Sequence, residues 1–416
     1  MIAERRALLS RHPRWSPIAS LECLSCGLET NIGPEWAGCG SCGGPLVVTY
    51  ADIAFPAGAR DLAEKVTYLA SALLPIDAEA VLDLGQGSTP LLAVSALGVR
   101  TWLKNEGQNP TGSHKDRFHA VSEAVAAELG YRKVVTSSTG NHGASCAAFA
   151  ASAGLRALVC LDAGAPAAIR SQLRSYDATI AVVPGAVAGV ITRLVDSGWY
   201  PSTSADASLA GRGNPFGCEG YKRIAYEIVQ RLGHSPEVVA LPVASGDTYF
   251  GIWKGFRELH ERLGQRMPLM LACQPAGAAP LALTERQAAA EPLEIVQPES
   301  LALSAREARS GWHATYALRL TGRIVEVPEA DLLGEIGRLG GVGLCVEPAS
   351  ALASAGLRLA RRHAIVDPGA ETVCVITSSG LNWTEHLDLA FGRPKVAESA
   401  EELIETLSLG DEVGAH

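Results

Sequence analysis

From Leu84 onward, short apolar runs alternate with stretches whose apolar residues recur every three or four positions, and this alternation limits the fold more than any other feature of the chain. An apolar run without a polar face cannot lie at the surface, so each run reads as a strand buried on both sides. The pattern predicts strands over 99–104, 133–136, 157–161, 179–183, 238–242, 269–274 and 372–377, with helices over 116–129, 143–153 and 220–232. Buried strands separated by helices need crossover connections, and those give parallel sheets. The 416 residues leave room for two such sheets and small appendages, since domains run on the order of 100–200 residues. The expected class is α/β, with two domains of parallel sheet flanked by helices. Near the end, 397–409 has the spacing of one amphipathic helix.

Composition narrows the function. Hydrophobic residues make up 47% and charged residues 19%, the profile of a globular enzyme and not of a disordered or fibrous chain. A formal charge of −9 with no long basic run lacks the electrostatic footprint of a nucleic-acid binder, so the expected partner is a small molecule. The opening MIAERRALLSRHPRW has no apolar core of a secretion signal, and the most apolar stretch, 143–155, stops at Arg156. That is short of the roughly 18 residues a membrane span needs. A cytoplasmic protein is expected.

Six of the ten cysteines, Cys146, Cys160, Cys218, Cys273, Cys345 and Cys374, are scattered through apolar segments, as reduced core cysteines are. The other four form two C-x2-C pairs, Cys23/Cys26 and Cys39/Cys42, with twelve residues between them. Each pair can turn two thiolates inward from a tight knuckle, and four such sulfurs make the closed shell of a structural zinc site. A redox C-x-x-C or two disulfides are the other readings of this spacing. No basic residue lies between the knuckles, so the segment reads as a packing or interaction module and not as a nucleic-acid binder.

In folds of this kind ligands sit where strands end and helices begin, because free N–H groups and the helix dipole attract anions there. Four such junctions carry polar residues. The first, 104–117, is a strand end and a Gly/Pro turn that place Lys115 at the mouth of a helix, where partial desolvation and the helix's positive end favour the nucleophilic amine. At the second, 137–143, the hydroxyls of Ser138 and Thr139 suit a carboxylate and Asn141 suits a ring hydroxyl; His142 is either a contact to a ligand or a capping histidine. The third holds Ala244, Ser245, Gly246, Asp247 and Thr248, small residues that let backbone approach a phosphate. Thr377 ends the fourth. No G-x-G-x-x-G opens a βαβ unit, which argues against a nicotinamide dehydrogenase.

Taken in order, these segments resemble fold-type II pyridoxal-phosphate enzymes (the tryptophan synthase beta-like fold), and most of all the threonine synthase family. The resemblance runs from about Leu84 to Trp383 through Gly85-Gln-Gly-Ser-Thr-Pro-Leu91, Asn109-Pro-Thr-Gly-Ser-His-Lys-Asp-Arg117, Ser138-Thr-Gly-Asn141, Asn214-Pro-Phe-Gly-Cys-Glu-Gly220, Gly251-Ile-Trp-Lys-Gly-Phe256, Glu347-Pro-Ala-Ser-Ala351 and Thr377-Ser-Ser-Gly-Leu381. It implies pyridoxal 5'-phosphate held as an imine by Lys115, with Asn141 beside its 3'-hydroxyl, Thr377 at its pyridine nitrogen and residues 244–248 around its phosphate. Ser138, Thr139 and His142 would then meet the substrate. The implied layout is an N-terminal segment 1–50, a large domain from 51–117 and 216–392, a small closing domain 118–215 and a tail 393–416, assembled as a homodimer.

The implied activity is conversion of O-phosphohomoserine and water to threonine and phosphate. Alternatives are a β-replacement synthase using O-phosphoserine or O-acetylserine, a dehydratase or ammonia-lyase, and, more remotely, a catalytically inactive zinc-ribbon binding module. The chain departs from the family at His114, commonly Phe, at His142, commonly small, and at Gly217, where many threonine synthases carry an arginine suited to the substrate phosphate. Arg212 and Arg223 are the candidates to compensate.

Overall fold

The computed structural model describes residues 14–34, 36–182, 187–203, 213–289, 291–296, 298–391 and 399. The expected helix at 397–409 lies outside the described residues apart from Ser399.

The chain opens with β1 (Ala19–Cys23), β2 (Glu29–Thr30) and β3 (Leu46–Tyr50), an antiparallel sheet in the order β2-β1-β3 with a cysteine knuckle at each end of the β1–β3 connection. Helix α1 (Leu62–Ala72) follows, started by a reciprocal capping box between Asp61 and Glu64 that satisfies two orphan N–H groups.

Then the sheet alternation begins: β4 (Leu91–Ala93), β5 (Thr101–Asn105), α2 (Lys115–Glu128), β6 (Lys133–Ser138), α3 (Asn141–Ala153), β7 (Arg156–Leu161), α4 (Ala167–Ser175), β8 (Thr179–Val182), α5 (Val187–Asp196) and β9 (Tyr200–Pro201). Next come α6 (Pro215–Tyr221), α7 (Arg223–Leu232), β10 (Val238–Pro242), α8 (Asp247–Leu263), β11 (Leu269–Pro275) and α9 (Pro280–Arg286). The last elements are α10 (Trp312–Thr321), β12 (Gly322–Val327), α11 (Glu329–Gly341), α12 (Pro348–Arg362), β13 (Thr372–Ile376) and α13 (Thr384–Phe391).

Two sheets result. A six-stranded sheet in the order β12-β11-β10-β13-β5-β4 is parallel except for its antiparallel edge β4, and a four-stranded sheet, β8-β7-β6-β9, is parallel throughout. Every residue of β13 is buried, as are the first four of β10, which is what helices on both faces require. This is the α/β architecture that the sequence pattern predicts.

Three local expectations are corrected. The helix expected over 220–232 is two helices that meet at Lys222, whose buried ammonium pairs with Glu219 at 2.7 Å and Glu258 at 3.2 Å. The strand expected from 99 starts at Thr101, because Val99 and Arg100 stand in the turn before it. Cys345, expected in the core, is exposed, whereas the other five scattered cysteines are buried.

Candidate active site

All four junctions picked out in the sequence lie at the C-terminal ends of parallel strands, β5, β6, β10 and β13, and they converge on one cavity. It is lined by residues of every junction: Lys115, Ser138, Thr139, Asn141, His142, Ala244, Ser245, Gly246, Thr248 and Thr377. In the larger sheet β10 is flanked by β11 on one side and β13 on the other, so connections leave in opposite directions there and open a crevice.

Lys115 is the first residue of α2, and its side chain enters this cavity with the ammonium 5.7 Å from the Tyr221 ring centre. Desolvation holds its amine below the usual lysine range, although the carboxylates of Asp247, Glu307 and Glu347 pull the other way. A lysine so placed holds a larger share of free amine at neutral pH than one in water.

The helix mouth is fixed from below. Asp116 accepts from the Thr111 N–H at 2.7 Å and the Thr111 hydroxyl at 2.5 Å, closing the turn before Lys115. Arg117, fully buried, donates to Glu106 at 2.6 and 2.8 Å and to Glu227 at 2.7 and 2.8 Å. Lys104 adds a contact to Glu227 at 2.6 Å. Two cations and two carboxylates balance, so the desolvated network holds no net charge. Thr89 donates to Glu106 at 2.6 Å, which ties the Gly85–Leu91 motif to the same network.

At the second junction, the Ser138 hydroxyl accepts the N–H groups of Gly140 (2.9 Å) and Gly143 (2.8 Å), so its own hydrogen is what it offers a ligand. Asn141 donates through Nδ2 to Glu347 at 2.6 Å and accepts from Trp383 Nε1 at 3.3 Å; one Nδ2 hydrogen remains for another acceptor. His142 and His114 are held neutral by burial. His142 Nε2 sits 3.2 Å from the Ser202 carbonyl and His114 Nδ1 3.0 Å from that of Thr377. Carbonyls only accept, so those two nitrogens carry the hydrogens. His114 also stacks on Tyr221 at 5.4 Å, an arrangement that a phenylalanine would share apart from the hydrogen bond.

The third junction presents the N-terminus of α8, whose first N–H groups have no acceptor within the helix and so face an incoming anion. Gly246 has φ +103, and a Cβ there would lie 2.1 Å from that of Ala314, so only glycine fits the turn. Loop shape is kept by the Ser310 hydroxyl on the Ala244 carbonyl (3.0 Å) and the Gly311 N–H on that of Ser245 (2.6 Å). Asp247 alone among residues 244–248 is absent from the cavity lining, and its Oδ1 lies towards Gly213, away from where a phosphate would sit. It can meet a phosphate only through its backbone.

Thr377 closes the fourth junction, with its hydroxyl 3.0 Å from that of Ser350, which in turn accepts the Ser378 N–H at 2.8 Å. Sequence reading missed Ser350 behind Thr377 and, in the lining, Ser304, Thr203 and above all Glu347, a buried carboxyl pushed upward by burial against the hydrogen bonds of Ser304, Ser378 and Asn141. Its motif was legible as an anchor of the resemblance; Glu347 stands at the N-cap of α12, but its side chain makes no cap hydrogen bond and reaches Asn141 at the mouth of α3.

Neither proposed compensating arginine lines the cavity among the described residues. Arg223 borders a separate cavity with Asp83, Tyr226 and Glu227, and Arg212 lies outside the described residues. Position 217 cannot supply one either, since a Cβ there would lie 2.1 Å from the Phe118 ring.

The four N-terminal cysteines gather as expected. Their sulfurs lie within 4.8 Å of one another, with Cys23–Cys42 at 3.5 Å and Cys26–Cys39 at 3.7 Å. A tetrahedron of about 2.3 Å zinc–sulfur bonds sets its sulfurs about 3.8 Å apart. Backbone N–H groups of Ser25 and Ser41 reach Cys23 and Cys39 at 3.4 Å each, the support a bound thiolate needs. Trp36, between the pairs, packs on Tyr200 at 5.0 Å and Phe216 at 5.6 Å, which joins the module to the smaller sheet.

A lysine at a helix mouth, a helix N-terminus for a phosphate and a neutral hydroxyl pair, all at the carboxyl ends of one parallel sheet, suit a phosphorylated aromatic aldehyde. The chain belongs to the family of pyridoxal-phosphate dependent enzymes, whose model matches residues 82–378. Within it the chain is similar to curated threonine synthases. That of Halalkalibacterium halodurans is 35% identical over 320 residues, covering 74% of this chain and 86% of the relative. That of Methanocaldococcus jannaschii is 31% identical over 376 residues, covering 86% and 92%. Among solved structures, a threonine deaminase from T.th. aligns over 77% of this chain and 98% of its own with a TM-score of 0.62 at 22% identity, and maize serine racemase over 80% and 99% with 0.62 at 18%; these two show the shared fold. No helix among the described residues is long and apolar enough to cross a membrane.

Proposed function

We propose that this enzyme carries out threonine synthase-like elimination and replacement, converting O-phosphohomoserine and water to threonine and phosphate. The observation that carries the reading is the Lys115 amine, desolvated and aimed into the cavity where four strand ends meet. Bound there, pyridoxal phosphate supplies the electron sink that makes C–H bonds of an attached amino acid acidic.

The chain's own residues divide the remaining work. Lys115 would hold the cofactor covalently, and its amine, when free, would be the group placed to carry protons to and from the substrate's carbons. The α8 N-terminus with residues 244–248 takes the cofactor's phosphate, Asn141 its ring hydroxyl and Thr377 its ring nitrogen. A neutral hydroxyl at that nitrogen leaves the ring largely unprotonated, which suits elimination and replacement. Ser138, Thr139 and the α3 N-terminus receive the substrate carboxylate, with His142 beside them. Glu347, kept protonated over a wider range by burial, is placed to give or accept a proton. Zinc held by Cys23, Cys26, Cys39 and Cys42 staples the N-terminal module to the body. The division into 51–117 with 216–392 and 118–215, and a cytoplasmic homodimer, complete the proposal.

Turnover of cofactor-loaded protein with O-phosphohomoserine tests it. Threonine and phosphate released in equal amounts support the reading. A keto acid with ammonia, or product only from O-phosphoserine or O-acetylserine, moves the chain to a dehydratase or β-replacement synthase.

A further inference from the structure

Behind the cavity wall, α2 packs against α3 and buries a second group of ligating side chains that the proposed reaction leaves unused. His119 and Glu123 stand one turn apart on α2, and Cys146 faces them from α3. All three are 0% exposed, and their ligand atoms lie within 4.8 Å of one another. Helix packing interiors are ordinarily filled by apolar side chains, and the four N-terminal cysteines, by contrast, belong to the module already described.

The group is only partly satisfied as it stands. Glu123 Oε1 lies 2.8 Å from His119 Nδ1 and accepts the Ser202 hydroxyl at 2.6 Å. Its second oxygen, Oε2, and His119 Nε2 are buried and make no well-formed hydrogen bond. Besides Ser202 and His119 the Glu123 carboxyl has the Cys146 thiol to bond, and a cation would take carboxyl and thiol as ligands in place of that weak contact.

We propose that His119, Glu123 and Cys146 bind a divalent cation of the zinc class. One imidazole, one carboxylate and one thiolate form a mixed N/O/S set that selects zinc over magnesium or calcium, which take oxygen alone. Carboxylate and thiolate together cancel the ion's two charges, as a dry site between helices requires. Bonds of about 2.0–2.3 Å bring the ligand atoms to roughly 3.3–3.8 Å apart, so the side chains close in by about an ångström through small rotations. Ser202 Oγ, 3.1 Å from His119 Nδ1 and donating to Glu123 Oε1 at 2.6 Å, borders the group on its Nδ1 side. The ion fixes the His119 ring, against which His142 packs with ring centres 4.3 Å apart. His142 lines the cavity, so the metal acts as a strut for that wall.

Metal content of the purified full-length, cofactor-loaded protein, equilibrated with zinc and dialysed, provides the test. Glu123→Gln and Cys146→Ala should each remove one equivalent of zinc per chain with circular dichroism unchanged, whereas Cys39→Ser should leave this equivalent in place. Cobalt loaded into the Cys39→Ser protein should give a thiolate-to-cobalt absorption that Cys146→Ala abolishes. Zinc content unchanged by both α2/α3 variants overturns the proposal. Should those variants fail to fold, anomalous diffraction at the zinc edge from wild-type crystals decides: a peak among the three side chains supports it, and a flat map there overturns it.

Discussion

Phe118 occupies the space that a side chain at Gly217 would need: a Cβ added at 217 would lie 2.1 Å from one carbon of the Phe118 ring and 2.3 Å from two others. The two residues therefore exclude an arginine at 217 by packing and not only by sequence. Gly217→Ala should cost about 1–3 kcal/mol through overpacking. In a double-mutant cycle with Phe118→Ala, the alanine at 217 should cost clearly less, because its obstacle is gone. Urea denaturation of the four proteins measures the coupling; equal costs in both backgrounds would contradict the packing argument.

The Arg117–Glu106–Glu227–Lys104 network offers a second prediction, on stability. Removing one partner leaves a buried charge uncompensated, so Glu227→Gln should destabilise by about 3–5 kcal/mol near neutral pH. Burial pushes the Glu227 carboxyl up, but Arg117 and Lys104 more than reverse this and hold it well below the ordinary range. A depressed carboxyl contributes stability that is complete above its unfolded value, about 4.3, and is lost as the pH falls through its folded value. The stability gap between wild type and Glu227→Gln should thus be constant from pH 6 to 8 and narrow below about pH 4. Chemical denaturation across that range checks both size and sign.

Glu347 was not read as a site residue from the sequence, yet it lines the cavity and receives Asn141. Glu347→Gln keeps an acceptor for Asn141 and removes the transferable proton. It should lower kcat by on the order of 10²-fold, the lower end of general acid–base effects, while the cofactor's absorption persists. Steady-state kinetics with matched cofactor occupancy distinguish this from a loss of binding, which would appear as bleached protein.

The N-terminal zinc should be structural. Cys23→Ser or Cys39→Ser should lower zinc content by one equivalent and reduce thermal stability, yet leave the cofactor bound, since no residue of that module lines the cavity among the described residues. Loss of cofactor absorption along with zinc would place the module in the active site.

Legibility followed the physics of burial. Runs such as 238–242 and 372–377 were readable because strands covered on both faces carry almost only apolar residues. Strand β12 escaped because it is the sheet's edge, where Arg323 and Glu326 interrupt the run. One helix was read over 220–232 because Lys222 looks like an ordinary surface lysine; only the tertiary pairing with Glu219 and Glu258 shows it as a buried joint. At the site, Lys115, Asn141 and residues 244–248 stand at strand–helix junctions, which leave local signatures in Gly, Ser and Thr. The His119–Glu123–Cys146 group leaves none, and Glu347, though it opens a legible motif, carries no local sign of its role. Their environment comes from segments far away in sequence, and polar residues one helical turn apart usually mark a solvated face.

The central claim is that Lys115 is the lysine that holds the cofactor, and one measurement addresses it directly. Protein loaded with pyridoxal phosphate, reduced with borohydride and digested, should yield a single pyridoxyl-modified peptide by mass spectrometry, with the label on Lys115. A label on another lysine, or no covalent label in protein that retains the cofactor's absorption, would contradict the account.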